Sequence, residues 1–298
     1  MQHTTQQPVT ESGTFTIGGD LTVYRLGFGT MRLTGPGIWG PPRDKQEAIA
    51  VLRRAFELGV NLLDTADSYG PEVSESLIAE ALYPYPKDLV IATKGGTVRT
   101  GPNVWPRDGR PEHLRKALEG SLRRLRLERI DLYQLHFPDP RVPYEDSVGE
   151  LAKMRQEGKI RHVGLANTTI DLLALAQQIM PIVTVQNHYN LGIRQSEYMS
   201  VTESEEMIDL CARQGIGFIA YQPLEVGELA RSGGVLGQIA RRHNATPAQI
   251  ALAWLLKRSP TLMPIPGPTR VKHLEEDVVG ATIRLSQEEY DVLDEESR

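Results

Sequence analysis

The chain has 298 residues, of which 40% are hydrophobic and 24% are charged, so it can bury a sizeable core and still solvate its surface. This length suits two average domains or one α/β barrel. A net charge of −5 without long runs of like charge argues against a nucleic-acid-binding protein, which normally has a basic face. The single cysteine, Cys211, has no partner for an intrachain disulfide and indicates a reducing compartment.

The N-terminal sequence gives no sign of export. No Lys or Arg precedes Arg25, so the basic start of a secretory signal is missing, and the longest apolar stretch, residues 250–256, is far too short to span a membrane. These features predict a cytoplasmic protein without a membrane partner. Residues 1–12 are polar and unpatterned, and we expect them to form a flexible tail ahead of a single domain over residues 13–298.

Short β-branched runs alternate with longer runs of helical period along the chain, which is typical of repeated βα units. An N-terminal hairpin is predicted at residues 14–17 and 21–24. The first barrel strand is expected at 25–30 and its helix at 44–58, with Asp44 as the N-cap and Gly59 at the end. Further strands are predicted at 61–64, 88–93, 130–135, 160–166, 182–186, 216–221 and 262–265, and helices at 111–125 and 246–259.

Eight predicted strands with helices between them, and no flexible linker, indicate the α/β class and a (β/α)8 TIM barrel. An open doubly wound sheet is the alternative fold. A dinucleotide-binding domain of that type would show GxGxxG between its first strand and helix. Here the first strand leads into MRLTGPGIWGPPRD, a Gly/Pro loop that lacks the helix-opening third glycine.

Four polar side chains lie at or just after the ends of three neighbouring strands: Asp64, Tyr69, Lys94 and His136. In a (β/α)8 barrel these strand ends face one mouth, where active sites are built. A lysine cation stabilises tyrosinate and lowers the pKa of a nearby tyrosine. Asp64 could hold that lysine charged and in place. We therefore expect proton transfer by Tyr69.

Each of these residues also has a structural alternative. Asp64 could cap a turn, Tyr69 could pack at the rim, Lys94 could be a solvated charge and His136 a structural histidine; their joint placement favours catalysis. A metal site is not predicted. The sequence has no HxH or HExxH spacing, and His136, His162 and His188 follow different strands without a clear ligand set.

The segments DTADSYG, ATKGG and LYQLH around the four residues resemble signatures of the aldo-keto reductase family. The resemblance continues through VGLAN, VQNHYN, AYQPL and IPGPTRVKHLEED, and it covers nearly the whole chain from about residue 16. It implies a barrel that uses NADPH without a dinucleotide-binding domain of the usual kind. It also implies that Tyr69 protonates a carbonyl oxygen as hydride arrives, that Lys94 lowers its pKa and that His136 donates a hydrogen bond to the substrate.

The same resemblance implies a cofactor site. Tyr221 resembles an aromatic residue that stacks on the nicotinamide, and Asn167 and Gln186 resemble amides that hydrogen-bond its carboxamide. Ala166 stands where many members have serine, so one hydrogen bond is expected to be missing. The other residues implied to bind the cofactor are Gln222, Pro223, Leu224, Pro266, Gly267, Thr269, Arg270, His273, Glu276 and Asp277.

The adenine end departs from the family pattern. Gly267 stands where some members have lysine, and Asp277 replaces the usual asparagine beside Glu276, which is implied to contact adenine. Arg270 lies among the residues implied to hold the 2′-phosphate, and it can make charge-assisted contacts there. We therefore expect NADPH to be preferred over NADH.

The predicted substrate is a small-molecule carbonyl compound. Residues expected to line its pocket are Met31, Trp39, Trp105 and Phe137. The first loop, GPGIWGPPRDKQEAI, resembles that of bacterial reductases that interconvert pyridoxal and pyridoxine, and the short segment 222–233 suggests an open site. A broad reductase of aromatic carbonyls is equally consistent with the loops. A cofactor-sensing regulatory subunit and a barrel isomerase or hydrolase using carboxylates are further alternatives.

Overall fold

The computed structural model describes residues 7–195, 197, 199–225 and 234–296. The predicted hairpin is present as β1 (Thr14–Ile17) and β2 (Leu21–Tyr24), which pair in antiparallel fashion. Eight further strands form one parallel sheet: β3 (Phe28–Gly29), β4 (Leu62–Asp64), β5 (Val90–Gly95), β6 (Ile130–Leu135), β7 (Ile160–Ala166), β8 (Thr184–His188), β9 (Gly217–Tyr221) and β10 (Leu262–Pro264).

The sheet curls into a nearly closed barrel in which strands adjacent in sequence are adjacent in space, from β3 to β10. Backbone hydrogen bonds bridge the remaining seam, because the Gly27 N–H donates to the Pro264 carbonyl and the Gly29 N–H to the Pro266 carbonyl, each at 3.0 Å. The predicted (β/α)8 barrel is therefore confirmed.

Helices surround the barrel: α1 (Lys45–Glu57), α2 (Val73–Leu82), α3 (Pro111–Leu125), α4 (Tyr144–Gln156), α5 (Ile170–Ile179), α6 (Val201–Gln214), α7 (Val235–Arg242), α8 (Pro247–Arg258), α9 (Val271–Val278) and α10 (Gln287–Glu296). As predicted, Asp44 caps α1 by accepting a hydrogen bond from the Glu47 N–H at 3.0 Å. Within the described ranges, no helix combines the length and apolar character that a membrane crossing requires.

The N-terminal segment differs from its prediction. A short 3₁₀ helix spans Pro8–Ser12, with Val9 fully buried and its N–H directed at the Leu58 carbonyl. The Ser12 hydroxyl accepts from the Leu26 N–H at 3.1 Å. The flexible tail predicted for residues 1–12 is therefore wrong for residues 8–12, because one buried apolar side chain and local side-chain bonds order a polar sequence. Residues 1–6 lie outside the described ranges.

The apolar core has two parts. One lies between the strands and the helices. The other fills the barrel interior, where Leu62, Val90, Leu132 and other strand residues pack with Ile17 of the hairpin. Because side chains alternate along a strand, the positions two residues further on also face inward. Asp64 and Gln134 occupy such positions after Leu62 and Leu132, and Lys94 occupies one after Ala92. The barrel interior therefore changes from an apolar core to a polar layer at its C-terminal mouth.

Candidate active site

Because side chains alternate along a strand, those of Asp64, Lys94 and Gln134 lie in this polar layer. They lie two residues beyond the interior residues Leu62, Ala92 and Leu132. Parallel pairing sets Lys94 opposite Gln134 and Asp64 opposite Ala92. The location at the C-terminal strand ends is the one predicted from the sequence.

Lys94 is fully buried and makes three hydrogen bonds. Its ammonium donates to Asp64 Oδ1 at 2.5 Å, to the Thr65 carbonyl at 2.9 Å and to the Tyr69 hydroxyl at 3.4 Å. Three donors on one ammonium therefore meet three acceptors. The structure brings Asp64, Lys94 and Tyr69 together as the sequence predicted.

The second oxygen of Asp64 is held by amide side chains. Oδ2 accepts from Gln186 Nε2 at 2.7 Å and from Gln134 Nε2 at 3.2 Å. The sequence reasoning missed Gln134, although a glutamine within the apolar strand IDLYQL, two residues before His136, was a visible signal of an inward polar position. The two amides fix the carboxylate so that its other oxygen points at Lys94.

His136 follows β6, and its ring packs edge-on against Tyr69 with 5.8 Å between centroids. The Ser68 hydroxyl lies 3.4 Å from His136 Nδ1. Burial, then the nearby Lys94 and Arg99 charges, hold the pKa of His136 well below its ordinary value. His136 is thus a neutral imidazole at pH 7, which can donate one hydrogen bond.

The net shift in the pKa of Tyr69 is opposite to the expected one. Burial raises the pKa of Tyr69, and the Lys94 charge acts in the opposite direction without overcoming it. Burial likewise opposes the charge on Lys94, but Asp64 and Tyr69 leave the pKa of Lys94 above its ordinary value. The prediction that Lys94 lowers the pKa of Tyr69 is right about the direction of that one contribution and wrong about the net shift, because the sequence does not reveal how deeply the phenol is buried.

A cavity of about 740 Å³ opens above the polar layer. Most predicted site residues line it: Asp64, Tyr69, His136, Asn167, Gln186, Tyr221, Gln222, Pro223, Leu224, Pro266, Gly267, His273, Glu276, Asp277, Met31, Trp105 and Phe137. Lys94 lies beneath this lining. Such a volume lies within the range of ligand sites.

Besides Lys94, three predicted residues do not line the cavity. Trp39 is 36% exposed, and the centre of its ring lies 5.7 Å from the Arg99 guanidinium. The prediction that Trp39 lines the substrate pocket is therefore wrong. Thr269 and Arg270 are exposed where the chain enters α9. Segment 222–233 is described only to Glu225, so the openness predicted from it lies partly outside the described residues.

Other lining residues were not foreseen, among them Arg32, Arg107 and Glu197. The Arg107 guanidinium lies 3.5 Å from the Glu197 carboxylate and 5.3 Å from the centre of the Phe137 ring. These residues belong to long loops without periodic patterns, so the sequence carried no signal of their convergence.

Two amide side chains and one aromatic ring, those of Asn167, Gln186 and Tyr221, also line the cavity. Asn167 donates to the His136 carbonyl at 3.0 Å and accepts from the Tyr221 hydroxyl at 2.7 Å. His188 stacks on Tyr221 with 5.3 Å between centroids. Among the described residues, Gln186 Oε1 accepts no hydrogen bond, so this oxygen remains available to an amide N–H of a ligand. This donor and acceptor set fits a nicotinamide.

The neutral state of His136 should affect stability in acid. Below about pH 6.5 the unfolded chain binds a proton that the folded chain rejects, so the free energy of unfolding falls as pH falls. Urea unfolding between about pH 8 and 5 should show this slope, and His136→Gln should flatten it by up to about 1.4 kcal/mol per pH unit. The pKa values of His113 and His188 are also lowered. Both residues are present in wild type and in the variant, so their contributions cancel in the difference between the two slopes. Equal slopes in the two proteins would contradict the assignment.

Comparisons with known proteins identify the family. The Aldo/keto reductase family model matches residues 25–298. An uncharacterized oxidoreductase of Schizosaccharomyces pombe is 50% identical over 97% of this chain and 91% of its own length. Pyridoxine 4-dehydrogenase of Escherichia coli is 43% identical, with 96% and 99% covered.

Solved structures give the same result. An aldo/keto reductase from Klebsiella pneumoniae, in complex with NADP and acetate, superposes with a TM-score of 0.79 at 25% identity, covering 95% of each chain. The barrel, the buried lysine beside a tyrosine and the match over nearly the whole sequence lead to one conclusion. The chain belongs to the aldo/keto reductase family.

Proposed function

We propose that this protein catalyses the NADPH-dependent reduction of an aldehyde or ketone to an alcohol, with Tyr69 as the proton donor. The observation that carries the proposal is the contact of the Tyr69 hydroxyl, 3.4 Å from the buried Lys94 ammonium, at the wall of the large cavity. A proton donor and a fixed cation at one point can neutralise an oxygen that gains negative charge.

In this scheme Tyr69 gives its proton to the carbonyl oxygen of the substrate. The tyrosinate left behind is stabilised by the Lys94 ammonium, which is kept charged by Asp64 at 2.5 Å. The raised pKa of Tyr69 keeps its side chain protonated at neutral pH, as a proton donor must be. In the oxidative direction the tyrosinate accepts the proton from the alcohol.

His136 orients the carbonyl. The neutral ring beside Tyr69 can donate one hydrogen bond to the substrate oxygen, while the Ser68 hydroxyl lies at its Nδ1. A neutral donor adds no net charge that would compete with Lys94. Two donors, the Tyr69 hydroxyl and the His136 ring, thus define where the oxygen sits.

The cofactor, when bound, supplies the hydride. Gln186 Oε1 and the Asn167 side chain would hold its carboxamide, and the Tyr221 ring offers a flat face at the cavity wall. His273, Glu276 and Asp277 line the same cavity, where we place the adenosine portion. Ala166 provides no hydroxyl, which fits the expected loss of one hydrogen bond.

NADPH is proposed over NADH because Arg270 is exposed at the start of α9 and is free to meet a 2′-phosphate. NADP in the Klebsiella structure supports this choice. The ratio of kcat/KM for the two cofactors tests it. A preference for NADPH that is reduced in Arg270→Gln is expected, and a preference for NADH would overturn the choice.

For the substrate we propose pyridoxal, or pyridoxine in the oxidative direction, since the relative from Escherichia coli is a pyridoxine 4-dehydrogenase at 43% identity. The aromatic rings of Trp105 and Phe137 at the cavity wall suit a planar ring. A broad reductase of aromatic carbonyls is the second candidate, favoured by the same two rings. The cytoplasm remains the expected location.

The experiment is a steady-state assay of NADPH oxidation with pyridoxal and a panel of aliphatic and aromatic aldehydes. Turnover of pyridoxal with the highest kcat/KM in the panel is expected. If pyridoxal is inert while other aromatic aldehydes react, the broad reductase replaces the vitamin-specific enzyme. If NADPH binds but nothing in the panel reacts, the proposed activity fails, and the result favours a cofactor-sensing regulatory subunit.

A further inference from the structure

Arg99, in the loop between β5 and α3, uses every N–H of its guanidinium on backbone carbonyl groups. Nη1 donates to Ile38 at 2.7 Å and to Ser68 at 3.1 Å. Nη2 donates to Gly37 at 2.8 Å and to Gly101 at 3.2 Å, and Nε donates to Val104 at 3.0 Å. Five donors therefore meet five carbonyl oxygens, which only an arginine can arrange.

These carbonyl groups come from three different loops. We use the name loop wall for residues 35–40, 67–70 and 99–105, which follow β3, β4 and β5 respectively. Direct contacts between the first two segments include the bond from the Gly40 N–H to the Gly70 carbonyl. The third segment is joined to the first by the bond from the Asn103 N–H to the Gly37 carbonyl at 2.9 Å, and the Arg99 side chain joins it to both of the others. Arg99 is thus the centre of the loop wall.

The partners of Arg99 are not relaxed loops. Ile38 has φ of 55° and Gly37 has φ of 69°, and a β-branched residue rarely adopts the left-handed region. Their carbonyl groups face the guanidinium in this conformation. Within the described part of the chain no carboxylate lies within ion-pair distance of Arg99, so its charge is met by carbonyl dipoles and not by an acid.

The guanidinium also stacks on the ring of Trp105, 3.6 Å from its centroid. Trp105 lines the cavity and packs edge-on against Tyr69 at 6.3 Å. The flat cation thus fixes an aromatic ring beside the proton donor. Tyr69 has separate support from Lys94 and from the backbone bond between the Ser74 N–H and its own carbonyl at 3.1 Å.

We propose that Arg99 is a positioning residue that holds the loop wall together and thereby determines the enzyme's selectivity for aromatic carbonyl substrates. This inference rests on the proposed reductase function. Arg99 does not line the cavity and takes no part in proton transfer. It acts through Trp105; its charge also lowers the pKa of His136, but only as the smallest of three causes, after burial and Lys94. Its loss should therefore affect substrates that reach the Trp105 ring far more than substrates that reach only Tyr69 and His136.

The test compares Arg99→Gln and Arg99→Lys with wild type, using benzaldehyde and propanal as substrates. In Arg99→Gln the KM for benzaldehyde should rise about tenfold, with propanal kinetics and NADPH affinity little changed. Arg99→Lys should resemble it, since an ammonium has three donors and no flat face. Arg110→Gln is the matched control, because Arg110 lies in the same loop, exposed and paired with Asp108, and it should behave as wild type.

A second readout does not depend on activity. Two of the three tryptophans, Trp39 and Trp105, lie in the loop wall, whereas Trp254 is fully buried. Quenching of tryptophan emission by acrylamide should therefore increase in both Arg99 variants. Unchanged quenching, or an equal loss with both aldehydes, would overturn the proposal. If wild type reduces neither of these aldehydes nor pyridoxal, the reductase function fails, and the quenching still decides whether Arg99 holds the loop wall.

Discussion

Tyr69→Phe is expected to lower kcat by about three orders of magnitude, because removal of the hydroxyl removes the proton that the carbonyl oxygen must receive. NADPH affinity should stay near the wild-type value, since the ring that packs against His136 and Trp105 is kept. Steady-state kinetics and a fluorescence titration of the cofactor measure the two quantities separately.

The control for this variant is Tyr85→Phe. The Tyr85 hydroxyl donates to the Leu125 carbonyl at 2.8 Å, away from the cavity lining, so its removal should leave kcat unchanged. A Tyr69→Phe protein with wild-type turnover would show that another group donates the proton. A protein that loses cofactor binding as well would show that the phenol has a structural role.

Lys94→Met should have the second largest effect. The substitution leaves the Asp64 carboxylate, 2% exposed, without its cation. Breaking a buried ion pair in this way costs about 3–5 kcal/mol of unfolding free energy, with the lower figure expected here because Gln134 and Gln186 still donate to Asp64. Turnover should fall by about 100-fold or more, since tyrosinate loses its stabilising charge.

The double variant Asp64→Asn with Lys94→Met separates the two effects. With both charges removed, most of the lost stability should return, because no unpaired buried charge remains. Turnover should stay low. Urea unfolding and kcat measured on the same preparations provide the comparison, and recovery of turnover together with stability would mean that Lys94 acts only through folding.

The fold could be predicted in detail because each barrel unit carries its own local signal. Strand runs, helix periods and the Asp44 cap all appear in the sequence, and the C-terminal mouth of a barrel collects residues at strand ends. Asp64, Lys94 and His136 were therefore predictable as neighbours. Tyr69 follows so closely after Asp64 that the same argument extends to it.

The rest depends on quantities that a sequence does not contain. The net pKa shift of Tyr69 results from two opposing effects, burial and the charge of Lys94. The segment DTADSYG does not reveal the size of either effect. Trp39 and Arg99 belong to loops with no period, so the contact that draws Trp39 away from the cavity was not foreseeable. Gln134 was foreseeable, since strand alternation alone places it between Leu132 and His136 on the inward side.

We propose that, in this cavity, a substrate carbonyl receives a hydride from NADPH and a proton from Tyr69. The most direct test of this proposal uses NADPH deuterated at both C4 positions, with an aldehyde that the enzyme turns over, and analyses the alcohol by mass spectrometry. One deuterium on the carbinol carbon is predicted for wild type, with almost no labelled product from Tyr69→Phe in the same time. An alcohol without deuterium, or no alcohol from any aldehyde, would contradict the account.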